Sequence, residues 1–427
     1  MVVLGIETSC DECAAAVVHN GVILSNVVAT QIPFHSQWQG VVPEIASRMH
    51  TEWIYSVADE AIKRAGLKVA DVEGAAATAH PGLLGSLLVG LHFAKAFAWA
   101  RDLPFIAVDH MLAHLYASRL VFEGGPVSEQ SSADSSSFSP APLRSDPSDL
   151  RYPQTGQEHS SGGTPCHKFS QNMLTGSHAV SGRPLRSDPS DLRYPPSYPF
   201  LGLLVSGGHS VICRVDNFDD VTVLGTTVDD AAGEAFDKIA KHYSFGYPGG
   251  EAIDKLAQKG NSEAFKFPMP NLYKLDKQGN DHRYDLSYSG LKTAVVNQLE
   301  QFRVLPDTTD ADIAASFQKT AIEILLRALF RAVEDTGLQT IVAGGGVAAN
   351  SYLRRRMAEY VHAAEFSNHC GSNKQTELKV CFPPLELCGD NAAMVAGLGE
   401  QYLLRGDRSP LNVSASARVR AFKKQYP

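Results

Sequence analysis

Leu204-Val205-Ser206-Gly207-Gly208 and Gly5-Ile6-Glu7-Thr8-Ser9 are the two stretches that decide the fold of this chain. In each, an apolar run enters a turn of small polar residues. Each stretch also belongs to the first of three predicted strands, after which strands and helices alternate. A pattern that occurs twice predicts a duplicated α/β fold with a cleft between its halves. The two turns would then face each other and hold a phosphate-bearing ligand between them.

Hydrophobic periodicity and turn residues predict the elements of both halves. Strands are predicted at Val2–Glu7, Ala14–Val18, Val22–Ala29, Gly74–Ala79, Phe105–Val108, Phe200–Val205, Ser210–Val215, Val221–Thr226, Gln339–Ala343 and Lys379–Phe382. Helices are predicted at Glu44–Ala65, Leu83–Ala100, Asp109–Val121, Asp229–Tyr243, Gly250–Gln258, Ile313–Val333, Asn350–Ala364 and Asn391–Leu404.

The composition excludes several classes of protein. The chain has 427 residues, a net charge of -8 and 44% apolar residues, so it is neither wholly disordered nor a basic protein that coats nucleic acid. Seven cysteines without a regular spacing favour a reducing compartment over a disulfide-stapled protein. Residues 83–100 contain Lys95 and are too polar for a membrane span. We therefore expect a cytoplasmic protein that does not contact a membrane.

Residues 123–197, here called the Ser/Pro-rich segment, interrupt the pattern. They hold 10 of the 23 prolines, 17 serines and a 12-residue string that occurs at both Pro142–Pro153 and Pro184–Pro195. Such a composition predicts a disordered insertion between an N-terminal half (1–122) and a C-terminal half (198–427), and a docking arm is the alternative. A smaller insertion is predicted near 366–379. Part of the C-terminal helix is expected to pack back on the first half.

His110 and His114 have the spacing of two imidazoles on one face of a helix. Two such side chains can share a divalent metal, with a carboxylate as third ligand, and Asp390 before the last predicted helix is the candidate. The alternatives are two surface histidines and, for Asp390, a helix N-cap.

Several glycine-rich turns follow predicted strands. Ser206-Gly207-Gly208 can present backbone N–H groups to an anion, with an ordinary hairpin turn as the alternative. Gly344-Gly345-Gly346 precedes Asn350, which is also a natural N-cap. Pro248-Gly249-Gly250 similarly bares backbone amides before a helix.

Cys10-Asp11-Glu12-Cys13 allows a redox or zinc interpretation, but no second pair of cysteines completes a zinc site. Asp11 and Glu12 are more informative, because they are carboxylates at the first phosphate-facing turn.

Nine motifs occur in a fixed order along the chain. They are Gly5-Ile-Glu-Thr-Ser-Cys-Asp-Glu12, Gly40-Val-Val-Pro-Glu-Ile-Ala-Ser-Arg48, Pro81-Gly-Leu-Leu-Gly-Ser-Leu-Leu-Val-Gly90, His110-x-x-x-His114, Leu204-Val-Ser-Gly-Gly-His209, Asp229-Asp-Ala-Ala-Gly-Glu-Ala-Phe-Asp-Lys238, Ser289-Gly-Leu-Lys-Thr293, Gly344-Gly-Gly-Val-Ala-Ala-Asn350 and Asp390-Asn391. Together they resemble the bacterial tRNA adenosine threonylcarbamoyltransferase family, over nearly all of the chain outside the two interruptions.

The resemblance implies an actin-like, sugar-kinase-like ATPase fold. It implies transfer of a threonylcarbamoyl group from threonylcarbamoyl-AMP to N6 of adenosine 37, in tRNAs that read codons beginning with adenine. Implied partners are tRNA, an inactive paralogue of the same fold and a small ATPase, and ATP or ADP binding is a further expectation.

The resemblance also implies the site. His110, His114 and Asp390 would hold one divalent metal, usually iron in this family, with zinc or magnesium as alternatives. The residues implied to line the adenylate site are Leu204, Val205, Ser206, Gly207, Gly208, Asp237, Gly250, Asp254 and Asn350. Cys13, His80 and Ala392 depart from the family pattern without removing any of these residues.

Mechanism and rival functions complete the expectations. Threonylcarbamoyl-AMP is a mixed anhydride and is therefore already activated. The protein must hold its phosphate, polarise its carbamoyl carbonyl and accept a proton from N6 of the adenosine. Asp11 or Glu12 is the predicted base. Basic residues at 354–356 and 405–427 are candidate phosphate contacts. The rivals are an ATP-dependent small-molecule kinase or carbamoyltransferase, a metallopeptidase and a nucleotide-regulated scaffold.

Overall fold

Two six-stranded mixed sheets of the same topology form the centre of the protein, as seen in a computed structural model. The structure describes residues 1–122, 196–270, 272, 282–303, 309–369, 378–418 and 423–424. The Ser/Pro-rich segment up to residue 195, and residues 370–377 of the smaller predicted insertion, therefore lie outside the described residues.

The first sheet has the order β5-β4-β1-β2-β3-β6. The elements of this half are β1 (Val2–Glu7), β2 (Glu12–His19), β3 (Val22–Thr30), α1 (Ile32–His35), α2 (Pro43–Arg64), β4 (Gly74–His80), α3 (Leu84–Ala100), β5 (Phe105–Asp109), α4 (His110–Tyr116) and β6 (Val121–Phe122).

The second sheet has the equivalent order β11-β10-β7-β8-β9-β12. Its half contains β7 (Phe200–Val205), β8 (Ser210–Asn217), β9 (Asp220–Thr226), α5 (Ala232–Tyr243), α6 (Gly249–Ala257), α7 (Ser289–Arg303), α8 (Asp310–Thr336), β10 (Thr340–Gly344), α9 (Ser351–His369), β11 (Lys379–Cys381), α10 (Ala392–Arg405) and β12 (Lys423–Lys424).

The duplication extends to the direction of every strand pair. In each sheet the first three strands form an antiparallel meander, and the fourth pairs in parallel with the first. The central strands β1 and β7 are buried along almost their whole length because helices cover both faces. The predicted duplicated α/β architecture is therefore confirmed.

Two helices cross between the halves. α10, from the second half, packs on β1, β2 and β4 of the first sheet, whereas α4, from the first half, contacts β7 and β10 of the second. Gly5 makes the first contact possible, since a Cβ there would lie 2.6 Å from the Ala392 carbonyl oxygen. The N-termini of α4 and α10 meet at the boundary between the two sheets.

The sequence prediction fails at four places. The helix predicted over Asp109–Val121 ends at Tyr116, and Val121, with Phe122, pairs with Val22 and Ile23 as β6 because these residues complete the edge of the first sheet. α5 begins at Ala232 rather than at Asp229. α7 and the short α1 are helices that the sequence analysis does not predict.

Asp229 lies outside α5 because its carboxylate has other partners. It accepts hydrogen bonds from the Ser287 and Ser289 hydroxyl groups at 2.5 and 2.7 Å and from the Tyr288 N–H at 2.8 Å. Asp229 therefore anchors the start of α7 instead of beginning a helix of its own. In the described part of the chain, no helix is long and apolar enough to cross a membrane.

Candidate active site

The two histidines of the predicted metal pair lie in α4, which begins directly after β5. Asp109 caps this helix as predicted, since its Oδ1 accepts the N–H groups of Met111 and Leu112 at 2.8 and 3.0 Å. His110 and His114 are 7% and 1% exposed, so they are not surface histidines. Their rings meet edge to face with centroids 4.6 Å apart.

Asp390 completes the group from the other half. Its Oδ1 lies 3.4 Å from His110 Nε2 and 3.1 Å from His114 Nε2. One ligand atom from each of the three residues falls within 4.8 Å of the others. The N-cap of α10 is Asn391, whose Oδ1 accepts the Met394 N–H at 3.2 Å. The N-cap alternative for Asp390 is therefore wrong, and its carboxylate is available to the histidines.

Glu7, at the end of β1, is a functional residue that the sequence analysis did not assign. It is fully buried, and its Oε2 lies 3.1 Å from His110 Nδ1 and accepts the Thr78 hydroxyl at 2.6 Å. A carboxylate on one ring nitrogen fixes the orientation of the imidazole and leaves the other nitrogen to a metal. The signal in the sequence was a charged residue that ends a buried apolar strand, since a buried charge needs a partner.

The electrostatics of this group favour a cation. Burial by itself would lower the pKa of His110, but the carboxylates of Asp390 and Glu7 raise it well above its ordinary value. Burial would raise the pKa of Asp390, but the two histidines hold it well below its usual range. Burial and the neighbouring His110 lower the pKa of His114. The carboxylates of Glu7 and Asp390 thus stabilise positive charge at His110, and a bound metal cation would be stabilised in the same way.

The donor set fits a transition metal. Two imidazole nitrogens and one carboxylate oxygen, from His110, His114 and Asp390, are ligands of the kind that iron and zinc bind. The Asp390 side chain is 20% exposed, whereas His114 is almost fully enclosed. One side of the group therefore opens towards the cleft, where further ligand positions would lie.

The second glycine turn lies across the cleft from this group. Residues 206–209 form a tight turn in which the Ser206 N–H donates to the His209 carbonyl at 2.8 Å. Burial and the nearby His110 and His114 lower the pKa of His209 to about 4. Gly207 and Gly208 are exposed, and a Cβ on either would meet nothing within 4 Å. The turn thus has open space next to its backbone amides.

The triple-glycine turn packs behind this one. Gly345 has φ +88°, and a Cβ there would lie 2.4 Å from the Val205 carbonyl oxygen. Only glycine fits this combination of backbone conformation and close approach. Leu204 and Val205 themselves are buried in the core with at most 1% exposure, so their side chains do not face a ligand.

Asp11 and Glu12 lie between the metal group and the second half. Burial raises the pKa of Glu12 well above its ordinary value, and the carboxylate of Asp11, with which Glu12 shares a hydrogen bond, raises it further. Burial also raises the pKa of Tyr247, and Asp11 and Asp237 add to this effect. Carboxylates from both halves therefore converge here, with Tyr247 beside them.

Asp237 and Gly250 contact each other. The Asp237 carboxylate accepts the Gly249 N–H at 2.9 Å and also bonds the Gly250 N–H, so it caps the N-terminus of α6. Burial raises the pKa of Asp237. The Gly250 amide, which was expected to contact phosphate, is thus engaged by a side chain. The amides at Gly207 and Gly208 are the better candidates for that role.

Asp254 and Asn350 meet at Gln318, a buried residue of α8 that the sequence analysis missed. Gln318 Nε2 donates to Asp254 at 2.5 Å and to Asn350 at 3.1 Å. Asn350 also accepts the Leu353 N–H at 3.0 Å and is therefore the N-cap of α9. These contacts tie α6, α8 and α9 together at the floor of the cleft.

The arginines considered for RNA contact have intramolecular partners. Arg354 donates to the Pro383 carbonyl at 2.9 Å, and Arg356 pairs with Glu323 at 2.7 Å. Arg405 forms ion pairs at 2.6 Å with Asp219 and Asp407. These three guanidinium groups therefore make contacts within the protein, and RNA contact by the basic residues at 354–356 and 405–427 stays a prediction.

The fold defines the class of protein. Full-length HypF, solved in a phosphate- and nucleotide-bound form, superposes on this structure with a TM-score of 0.50 and 12% sequence identity, over 95% of this chain and 47% of that chain. This likeness concerns the fold alone. Together with the duplicated sheets and the helices that cross between them, it defines an actin-like ATPase fold, as expected.

The sequence comparisons define the family. A profile of the family described as tRNA N6-adenosine threonylcarbamoyltransferase matches residues 22–136 and 190–397. Proteins of that name from Treponema denticola, Treponema pallidum (strain Nichols) and Borreliella burgdorferi are 50%, 45% and 40% identical to this chain. In each case the match covers 100% of this chain, with 99%, 95% and 96% of the relative.

The chain belongs to the tRNA N6-adenosine threonylcarbamoyltransferase family. It is a transferase that modifies adenosine in tRNA, and the alternative of a small-molecule kinase is not favoured.

Proposed function

We propose that the cleft transfers the threonylcarbamoyl group of threonylcarbamoyl-AMP to N6 of adenosine 37, in tRNAs that read codons beginning with adenine, with the help of one metal ion. The observation that carries this proposal is the convergence of His110, His114 and Asp390 on one point. Glu12 lies close enough to Asp390 to interact with it electrostatically, and Asp11 is similarly close to Tyr247 of the second half.

The proposed metal is divalent iron, held by His110, His114 and Asp390. Iron or zinc suits two imidazoles and a carboxylate better than magnesium, which prefers oxygen ligands. When bound, such an ion would supply Lewis-acid polarisation of the carbamoyl carbonyl. Glu7 holds the His110 ring in the orientation that leaves Nε2 towards Asp390.

The proposed adenylate site is the space between the 206–209 turn and α6. Gly207 and Gly208 present backbone amides next to open space, where they can stabilise the charge of the phosphate. The polar residues Asp237, Asp254 and Asn350 line the floor of this space. Hydrogen bonds from the Gly249 N–H to Asp237, and from Gln318 to both Asp254 and Asn350, keep these side chains fixed for contacts with ribose or adenine.

The proposed base is Asp11. Because Glu12 is buried and hydrogen-bonded to Asp11, its carboxyl group retains its proton more strongly than an ordinary glutamate. With this proton on Glu12, the two carboxyl groups together carry one negative charge. The Asp11 carboxylate can then accept the proton that N6 releases.

Partners and location are further parts of the proposal. A tRNA substrate fits a cytoplasmic location, and the family resemblance adds an inactive paralogue and a small ATPase as protein partners. The same fold makes ATP or ADP an additional ligand to test by titration.

The carboxylate roles are tested by comparing Asp11→Asn and Glu12→Gln with wild type, scoring modified nucleoside from threonylcarbamoyl-AMP and tRNA. Asp11→Asn is expected to lower kcat by about 100-fold, the usual contribution of a general base. Glu12→Gln, which imitates the protonated group, is expected to retain most of the activity. An unchanged kcat in Asp11→Asn would remove Asp11 from the role of base.

A further inference from the structure

A chain of buried hydrogen bonds lies under the Cys10–Glu12 turn, outside the residues assigned to metal or substrate. Gln31, His35 and His50 are each 0% exposed, although all three are polar. Burying such groups costs free energy unless every donor and acceptor finds a partner. We call these three side chains the relay.

The relay connects two backbone groups through side chains alone. The Val42 N–H donates to His35 Nδ1 at 3.3 Å, and His35 Nε2 bonds Gln31 Oε1 at 3.2 Å. Gln31 Nε2 then bonds His50 Nδ1 at 3.3 Å, and His50 Nε2 bonds the Cys10 carbonyl at 2.9 Å.

The two ends fix the direction of every bond between them. A backbone N–H can only donate and a carbonyl can only accept, so His35 and His50 must each accept at Nδ1 and donate at Nε2. Both imidazoles are then neutral, and the Gln31 amide has one orientation. Burial lowers the pKa of His50, which agrees with a neutral ring.

The relay and the main chain of Gln31 hold the Cys10–Glu12 turn at two adjacent carbonyl groups. His50 donates to the Cys10 carbonyl, and the Gln31 backbone N–H donates to the Asp11 carbonyl at 3.1 Å. The Asp11 side chain leaves the main chain between these two anchored peptide groups, and Glu12 follows the second of them. A change in either anchor would therefore rotate the carboxylates relative to the metal group.

The other end of the relay lies at the boundary between the halves. The bond from Val42 to His35 closes residues 36–41 into a loop. In this loop the Trp38 carbonyl accepts a hydrogen bond at 3.3 Å from Lys241 of α5, the helix that also carries Asp237. The relay thus connects the turn to a loop that touches the second half.

We propose that Gln31, His35 and His50 are positioning residues that hold the Asp11 and Glu12 carboxylates in their reactive orientation. This inference rests on the proposed role of Asp11. Their hydrogen bonds join the three side chains to one another and to backbone groups rather than to the metal ligands, so we expect their effect to be on the rate of the chemical step rather than on binding.

The test compares wild type with His50→Leu, Gln31→Leu and Gln31→Glu, the last of which keeps the size of the side chain but loses the NH2 donor to His50. Ser25→Ala is the matched control, because it removes another buried hydrogen bond of α2, from the Ser25 hydroxyl to the Ala61 carbonyl at 2.7 Å, and leaves the relay intact. For each protein, kcat and KM for threonylcarbamoyl-AMP, bound metal and the thermal unfolding midpoint are measured. His50→Gln, which keeps a donor near the Cys10 carbonyl, tests for rescue.

The expected result is a fall in kcat of about 10-fold in the relay variants, the effect of one buried hydrogen bond lost from the reactive geometry. KM and metal content should stay within about 2-fold of wild type, and His50→Gln should recover part of kcat. A kcat near wild type in Gln31→Leu or Gln31→Glu would overturn the proposal, as would an equal loss in Ser25→Ala. Asp11→Asn, assayed in parallel, separates the role of Asp11 as the base from the positioning role of the relay. Full activity in Asp11→Asn would contradict the assignment of Asp11 as the base. Activity that is lost in Asp11→Asn but kept in the relay variants would contradict only the positioning role of the relay.

Discussion

Glu7 is the residue on which the orientation of His110 depends most directly. Its two oxygens contact three groups, the His110 ring at 3.1 Å, the Thr78 hydroxyl at 2.6 Å and the Ser9 N–H at 2.5 Å. An amide in its place would present an NH2 group to one of these contacts and would carry no negative charge. The stability of a bound cation therefore depends on this carboxylate.

Glu7→Gln is expected to lower the affinity for divalent metal by about 10- to 100-fold, the range found for such supporting carboxylates. Competition with a chromophoric chelator measures this directly, without an activity assay. Thr78→Val, which removes one hydrogen bond from Glu7 but keeps its charge, serves as the control and should have a smaller effect. Equal metal affinity in wild type and Glu7→Gln would contradict the assigned role.

Glu12 provides a test of the electrostatics through stability. Because its pKa is raised in the folded protein, the native state retains a proton that the unfolded chain releases. Folding stability contributed by this group therefore falls as pH rises from the ordinary value of 4.5 towards the raised one.

Glu12→Gln removes this penalty because the amide is neutral at every pH. We expect its thermal unfolding midpoint to exceed that of wild type by a margin that grows as pH rises above the ordinary glutamate pKa of 4.5. The exposed Glu52→Gln is the control and should show no such trend. Parallel curves for wild type and Glu12→Gln would show that the Glu12 carboxyl is not protonated in the folded state.

Single residues were predicted unevenly from the sequence. The spacing of His110 and His114 indicated a shared ligand, because helix geometry is local. Asp390 was a candidate ligand from its position before the last predicted helix, but a helix N-cap stayed an alternative, since the approach of Asp390 to the histidines depends on how α10 crosses to the other half. Gln318 gave no signal, because nothing in a helix sequence marks which polar residue will be buried against two other helices.

α10 brings Asp390 to α4, and its contact with β1 is unusually close. A Cβ on Gly5 would lie 2.6 Å from the Ala392 carbonyl oxygen, only two residues after Asp390. The helix would have to move away from the sheet to accommodate even one methyl group.

Gly5→Ala is therefore expected to destabilise the fold by about 1–3 kcal/mol and to weaken metal binding, since Asp390 moves with the helix. Denaturant unfolding and chelator competition measure the two effects. Gly290→Ala in α7, where a Cβ would meet nothing within 4 Å, is the matched control and should be close to neutral. A Gly5→Ala protein with the stability and metal affinity of wild type would refute the close packing described above.

Helices and strands were predicted well where apolar periodicity is strong. They were predicted poorly where contacts with distant parts of the chain determine the type or the start of the element. β7 was predicted at its observed boundaries, because its buried run is bounded by turn residues. Val121 ends a predicted helix, yet with Phe122 it joins the edge of the first sheet beside β3, whose residues Val22 and Ile23 lie far away in sequence. The start of α7 depends on Asp229, about 60 residues earlier, which no local pattern reveals.

At the scale of the whole molecule, the chain ends that flank the Ser/Pro-rich segment lie close together. Arg119, shortly before Phe122, donates a hydrogen bond to the Pro196 carbonyl, and its guanidinium lies 4.6 Å from the centre of the Tyr198 ring. The family profile leaves residues 137–189 unmatched. A short linker could therefore join the two halves without changing either sheet.

Replacing residues 125–193 with a short Gly/Ser linker is expected to leave the unfolding midpoint within about 5 °C of wild type, because shortening a loop changes its closure entropy little. Metal affinity should be unchanged, since every proposed ligand lies outside the segment. Circular dichroism and chelator competition check the two expectations. A deletion variant that fails to fold would show that the segment belongs to the structural core.

The proposed transfer to tRNA, in the cleft between the two actin-like halves, requires a metal ion. Its dependence on metal is measured as the rate at which metal-depleted protein forms threonylcarbamoyladenosine from threonylcarbamoyl-AMP and tRNA as Fe²⁺ is added back. A metal-assisted transfer predicts a rate that rises with bound metal, saturates at about one ion per chain and stays at background in His110→Ala. A full rate from the metal-depleted protein, or from His110→Ala, would contradict it.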